Sequence, residues 1–178
     1  MKKLIIAGAA SVAMAAMPVV GVFAEDPAAL TDTLKITVND SCSFDRDSGG
    51  SAEFQKTMEA AQVDTNFGSN TFTSKCNNGK GYTVKADFTS IAPTGTSTGT
   101  AITYGTTTPD STHLGIWTAY KSTETAGNIE NGTNVLNTSS ADPAGGTSFS
   151  VTYKVGLHDN QEQGNYQGTA KYTLTQKS

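Results

Sequence analysis

This chain has little of what most protein chemistries require. It holds two cysteines, two histidines and one tryptophan in 178 residues. Cys42, Cys76, His113 and His158 are far apart and show no metal-ligand spacing. Lys and Arg number 12 against 16 Asp and Glu, a formal net charge of -4. So few cations suit neither nucleic acid, whose affinity comes mainly from phosphate neutralisation, nor an anionic membrane surface. There is no G-x-S-x-G and no catalytic signature around either histidine, so each reads as an ordinary strand-end residue. Acids fall mostly in turns, as Asp45, Asp47, Asp110, Asp142 and Asp159, where turn formation or capping is their default role. Glycoside hydrolysis would need two acids projected into a cleft. Asp45 to Gly50 faintly resembles the start of a calcium loop but lacks its later ligands and closing Glu. The expectation is a protein that is not an enzyme, with no catalytic residue, cofactor or metal.

One long apolar run is present, at the start. Met1-Lys2-Lys3 is short and basic, and Leu4 to Phe23 is almost wholly Ala, Val, Ile, Met and Gly. Val22-Phe23-Ala24 places small residues at the positions a signal peptidase inspects, and Glu25-Asp26-Pro27 follows. This is the layout of a secretory signal peptide of bacterial type, residues 1–24, cleaved after Ala24. The alternative is an uncleaved anchor, since the run is long enough to span. No second run of that length follows, so no membrane span is expected after cleavage. Residues 25–33 read as a flexible arm and 34–178 as a single domain, secreted or held at the cell surface.

Both cysteines lie in the exported part, where an oxidising compartment lets their one possible intramolecular pairing persist. A Cys42–Cys76 disulfide is expected, worth about 3–4 kcal/mol in the chain-entropy model. Free thiols are the alternative.

The rest is a β pattern. Phe149, Val151, Tyr153, Val155 and Leu157 occupy odd positions with polar residues or Gly between them. Tyr166, Ala170, Tyr172 and Leu174 occupy even positions in the last stretch. Period two means strands with one buried and one wet face. Leu34-Lys35-Ile36-Thr37-Val38 alternates and reads as the first strand. Thr71 to Phe88 reads as a hairpin about Asn77-Asn78-Gly79-Lys80-Gly81. Trp117 lies in a strand from His113 to Tyr120, and Ile129, Val135 and Leu136 suit a short edge strand. Ala52 to Gln62, with Phe54, Met58 and Ala61 at i, i+4, i+7, suits either one short helix or an irregular strand. Without a helix long enough for a βαβ crossover, a parallel α/β sheet is not expected. The fold class is all-β: a Greek-key immunoglobulin-like β-sandwich of about eight antiparallel strands. Phe149–Leu157 and Tyr166–Thr175 would be its final hairpin. Tyr166, behind Gly164-Asn165, would bond its hydroxyl back to the preceding loop, as in a tyrosine corner.

Gly164-Asn165-Tyr166-Gln167-Gly168-Thr169 resembles the end of WxL surface domains, where a Gly-x-Tyr-x-Gly-Thr stretch precedes Trp-x-Leu. Here Tyr172-Thr173-Leu174 stands at that place, and Trp117-Thr118-Ala119 is the other candidate site. The Cys42…Cys76 pair, with Phe67-Gly68 between and an alternating strand after, is similar to secreted pilin and spore-coat-U-type domains. In those, a disulfide ties the first strand to the next hairpin. Both resemblances imply an immunoglobulin-like sandwich, export and a surface-attached or fibre-forming role without catalysis. The expected partners are a cell-wall polymer, other surface proteins or further copies of this chain. In the last case Leu34, Ile36 and Val38 would form the donor strand, added to a neighbour's sheet. The alternative function is a secreted carbohydrate-binding module using Trp117, Tyr104 or Tyr120. The plainer role for Trp117 is core packing.

Overall fold

The computed structural model describes residues 34–122 and 127–178. The expected leader, 1–24, and arm, 25–33, lie outside the described residues. Chain contacts divide the protein into Met1–Thr37 and Val38–Ser178. In the first unit, residues 34–37 form no strand, and Leu34 and Ile36 are 89% and 86% exposed. The first strand expected over 34–38 is therefore absent. Its alternation provides an apolar face, but that face is exposed and no strand pairing among the described residues includes it, and an unpaired strand is not stable in water.

The second unit is all-β. Its strands are β1 (Cys42–Arg46), β2 (Val63–Cys76), β3 (Tyr82–Phe88), β4 (Ala92–Thr94), β5 (Thr103–Tyr104), β6 (Ile116–Lys121), β7 (Gly127–Asn128), β8 (Asn134–Asn137), β9 (Thr147–Gly156), β10 (Asn165–Gln167) and β11 (Ala170–Gln176). The described strands number eleven, not about eight, because β4, β5, β7 and β10 are pieces of two or three residues that carry no periodicity. One sheet has the order β1-β2-β9-β6-β5, with β7 also on β6. A second has the order β11-β3-β8, and β10 pairs with β4. Pairing is antiparallel except between β5 and β6, which run parallel.

The period-two pattern marks the buried faces. Tyr82, Val84, Ala86 and Phe88 of β3 are buried, as are Phe149, Val151, Tyr153 and Val155 of β9. Rings join the two sheets: Phe72 of β2 lies 4.7 Å from Tyr172 of β11, and Phe88 of β3 lies 5.6 Å from Trp117 of β6. Each fully buried aliphatic or Phe side chain contributes about 1.5–3 kcal/mol.

Three sequence expectations need correction. Residues 71–88 are not a hairpin: β2 pairs with β1 and β9, and β3 with β11 and β8. The Asn77–Gly81 turn instead carries the chain from one sheet to the other. Gly81 takes φ 81° there, and a Cβ on it would collide with the Thr138 carbonyl. The closing pair is also not a hairpin, since β9 lies in the first sheet and β11 in the second. Alternation identifies strands, not their partners. Finally, residues 52–62 form no helix. A helix this short is marginal in isolation, and here the chain is drawn out between Ser51 and Ala61, each hydrogen-bonded to distant residues.

Cys42 and Cys76 form the expected disulfide and face each other in the β1–β2 register. Asp142 closes the same end: its carboxylate accepts from Cys76 N at 2.9 Å and from Tyr82 Oη at 2.7 Å. The double variant Cys42→Ser/Cys76→Ser is expected to lose about 3–4 kcal/mol of stability. Denaturant unfolding would measure this. An unchanged midpoint would mean that β1 is held by its ladder and aromatic contacts alone.

Candidate functional site

A groove of about 1300 Å³ opens in the second unit. Phe72 (β2), Trp117 (β6), Tyr153 (β9) and Tyr172 (β11) line it together with residues 52–60 and residues 161–169, which include β10. Its position follows from the topology. β11 pairs only with β3 among the described residues, so the opposite edge of β11 keeps alternate N–H and C=O groups unpaired. The β2–β9 ladder shifts register between Asp64 and Gly68, a bulge that bends β2 alongside the groove-lining Phe67.

The groove is aromatic within and polar at its rim. Tyr153 Oη and Tyr172 Oη are 3.2 Å apart. Phe54 tilts against Tyr153 with centroids 5.5 Å apart. Burial raises the phenol pKa of Tyr153 above its ordinary value. Burial, reinforced by the adjacent Tyr153, raises that of Tyr172 strongly. Tyr104, under Phe88 at 4.2 Å, is pushed up to about 12, again mainly by burial. These phenols are neutral hydrogen-bonding groups at physiological pH. Arg46 and Lys154 are among the cations at the lining, and Glu162 among the anions.

The residues singled out in the sequence do not all converge here. Trp117 is 4% exposed, donates Nε1–H to Thr89 O at 3.1 Å and packs edge-on against Tyr104 at 4.7 Å. It is a core residue that borders the groove, not an exposed stacking platform. Tyr120 lies three residues along β6, on the opposite face, with Lys154 Nζ 4.4 Å from its ring centroid. Trp117 and Tyr104 pack against each other while Tyr120 lies on the opposite face, so the three do not form one stacking platform. Tyr166 donates its hydroxyl to Glu162 O at 2.8 Å, the loop-pinning bond expected of it, but from β10, which pairs with β4.

His113 is exposed, and its Nδ1 lies 2.9 Å from Asp110 Oδ1. The Thr112 hydroxyl, backed by backbone N–H groups and His113, holds the Asp110 carboxyl well below the usual range. This is a self-contained turn. His158 packs across Gly115. Asp47 accepts from Thr73 Oγ1 at 2.8 Å and so serves the β1–β2 turn. Among the described residues no group of three or more His, Cys, Asp or Glu could hold a metal ion. No described helix is long and apolar enough to cross a membrane.

Sequence reasoning missed Phe54, Met58, Tyr153 and Tyr172 as groove residues. Alternation marked Tyr153 and Tyr172, and a spacing of four marked Phe54 and Met58, as one face each, but neither pattern could reveal a gap in the cover above them. The chain matches no family model, no curated protein and no solved structure.

The buried phenols give a pH signature. Their pKa is raised by folding, so the stability tied to their neutral form is complete below about pH 10, the ordinary tyrosine value. It is lost as pH rises through the folded values. In an alkaline titration, Tyr104, Tyr153 and Tyr172 are expected to ionise together with loss of near-ultraviolet circular dichroism. Ionisation of all three in a still-folded protein would contradict their burial.

Proposed function

We propose that this chain is a non-enzymatic structural or adhesive subunit of the cell surface, an exported immunoglobulin-like sandwich that joins to further copies by strand addition. One observation carries the reading: a groove with an aromatic floor and a polar rim is lined in part by Ala170 and Tyr172 of β11, a strand that among the described residues pairs with β3 alone. Leu34, Ile36 and Val38, the exposed large apolar residues of the described chain, supply a matching occupant. Their period-two spacing puts all three on one face of an extended segment. Five residues of strand span about 17 Å, within the reach of the seven-residue β11.

Magnitudes decide what such a joint would need. Burying Leu, Ile and Val contributes about 5–9 kcal/mol. Ordering five backbone residues costs about 5–10 kcal/mol. The two nearly offset, so the ladder of hydrogen bonds to the free edge of β11 tips the balance. A strand that inserted its side chains without pairing would not hold. The signal peptide, the disulfide and the WxL-like and pilin-like stretches agree with an exported surface role. With Trp117 buried, carbohydrate binding at that residue has no comparable support.

Sedimentation of the chain lacking the leader tests this. The parent protein is expected to form concentration-dependent assemblies, and the variant Leu34→Ser/Ile36→Ser/Val38→Ser to remain monomeric with unchanged thermal unfolding. Equal sizes for the two at every concentration would refute strand addition.

A further inference from the structure

We propose that residues 52–60 are a displaceable strap, which covers part of the groove in the monomer and must be lifted by an incoming strand. The inference rests on the strand-addition reading above and concerns how that site is regulated.

The strap is fastened at its two ends and loosely between them. At one end the buried Asn70 side chain clasps the Ser51 backbone, accepting from Ser51 N at 2.9 Å and donating to Ser51 O at 2.8 Å. At the other, Ala61 adopts φ 60° and donates to His158 O at 2.9 Å. From Ala52 to Ala60 the described backbone makes no hydrogen bond to either sheet; its own bonds are local, at Glu53 and between Glu59 and Gln62. The side chain of Lys56, which reaches Asp64 and the Asn66 carbonyl, is its polar tie. A segment with so few backbone bonds belongs to the low-stability end of a structure.

Apart from the Lys56 tie, what holds it down is apolar. Phe54 and Met58 alone among residues 52–60 are half-buried, and the others are exposed. A separation of four places both on the same side of an extended chain. The Phe54 ring lies over Gly68, where any Cβ would run into it, and against Tyr153. Tyr153 in turn contacts Tyr172 on β11. Phe54 therefore sits on the aromatic floor of the groove that Tyr172 of β11 also lines. The groove needs its own occupant removed before it can take another, and the competent fraction sets the apparent affinity.

The test uses a synthetic peptide of residues 31–40 and the chain lacking only the leader, with Leu34→Ser/Ile36→Ser/Val38→Ser to silence its own segment. In that background Phe54→Ala is expected to tighten peptide binding about tenfold, as for a site whose open fraction rises from a tenth towards one. Peptide is also expected to accelerate cleavage after Glu53 and Glu59 by a glutamate-specific protease in the Phe54 protein, a readout free of any folding defect in the variant. Weaker or unchanged peptide affinity in Phe54→Ala, or cleavage slowed or unaffected by peptide, would overturn the strap while leaving strand addition intact. No peptide binding by either protein would overturn both.

Discussion

Phe72 and Phe149 stand opposite each other in the β2–β9 register, with ring centroids 5.5 Å apart. Most of the rest depends on that pair. Phe44 of β1 stacks on Phe72 at 5.7 Å, and Tyr172 of β11 reaches Phe72 at 4.7 Å and Phe149 at 6.2 Å. One aromatic knot therefore fastens β1 to its sheet and the second sheet to the first. Aromatic pairs of this kind contribute about 0.5–1.5 kcal/mol each beyond the area they bury. On the outer face of the same two strands, Thr71 bonds Ser150 and Thr73 bonds Ser148, each at 2.7 Å. A one-residue slip would turn the rings outward and the hydroxyls inward, so the register is held from both faces.

The knot also sets the limits of the groove. It lies towards the disulfide end of β2, where β1 covers the edge and Cys42 faces Cys76. Beyond Arg46↔Phe72 that cover stops, while β2 continues back through the bulge to Val63. The uncovered half of β2 is where Phe67 lines the groove and where residues 52–60 run without joining the sheet. The opening is thus the consequence of a five-residue β1 paired with a fourteen-residue β2.

The sequence made the strands visible and left their partners hidden, for physical reasons. Alternation from Phe149 to Val155 states which side of a strand is buried, and the buried set follows it. It says nothing about which strand lies alongside, because partner choice depends on how loops travel. The Asn77–Gly81 turn has residues a tight hairpin would use, yet it spans two sheets. Two cysteines allow a single intramolecular pairing, so the Cys42–Cys76 bridge needed no geometry. The groove was harder. Phe54 and Met58 are four apart, a spacing shared by one face of a helix and one face of an extended chain, so the pattern could not choose. Ala61, the third residue of the apparent helical face, is exposed. The free edge of β11 is invisible in any linear pattern, since an edge strand and an inner strand alternate alike.

An open groove with an aromatic floor and an exposed alternating segment on one chain pose a problem that either would pose alone. Free strand edges and uncovered apolar surface recruit any extended peptide, and natural sheets protect such edges. The edge here carries Lys171 as its charge and otherwise small polar residues on its exposed side, a modest guard. The offered segment carries Lys35 between Leu34 and Ile36, so its outward face is wet when its inward face is buried. Selectivity in such a joint cannot come from main-chain pairing, which every sequence can make. It has to come from the pockets for alternate side chains and from the cost of uncovering them. A strap held by two apolar side chains and few backbone bonds raises that cost for all comers equally. On the strand-addition proposal, only a segment with three well-spaced apolar residues and a full ladder to β11 would recover it, and a general hazard would become a joint that prefers its own kind.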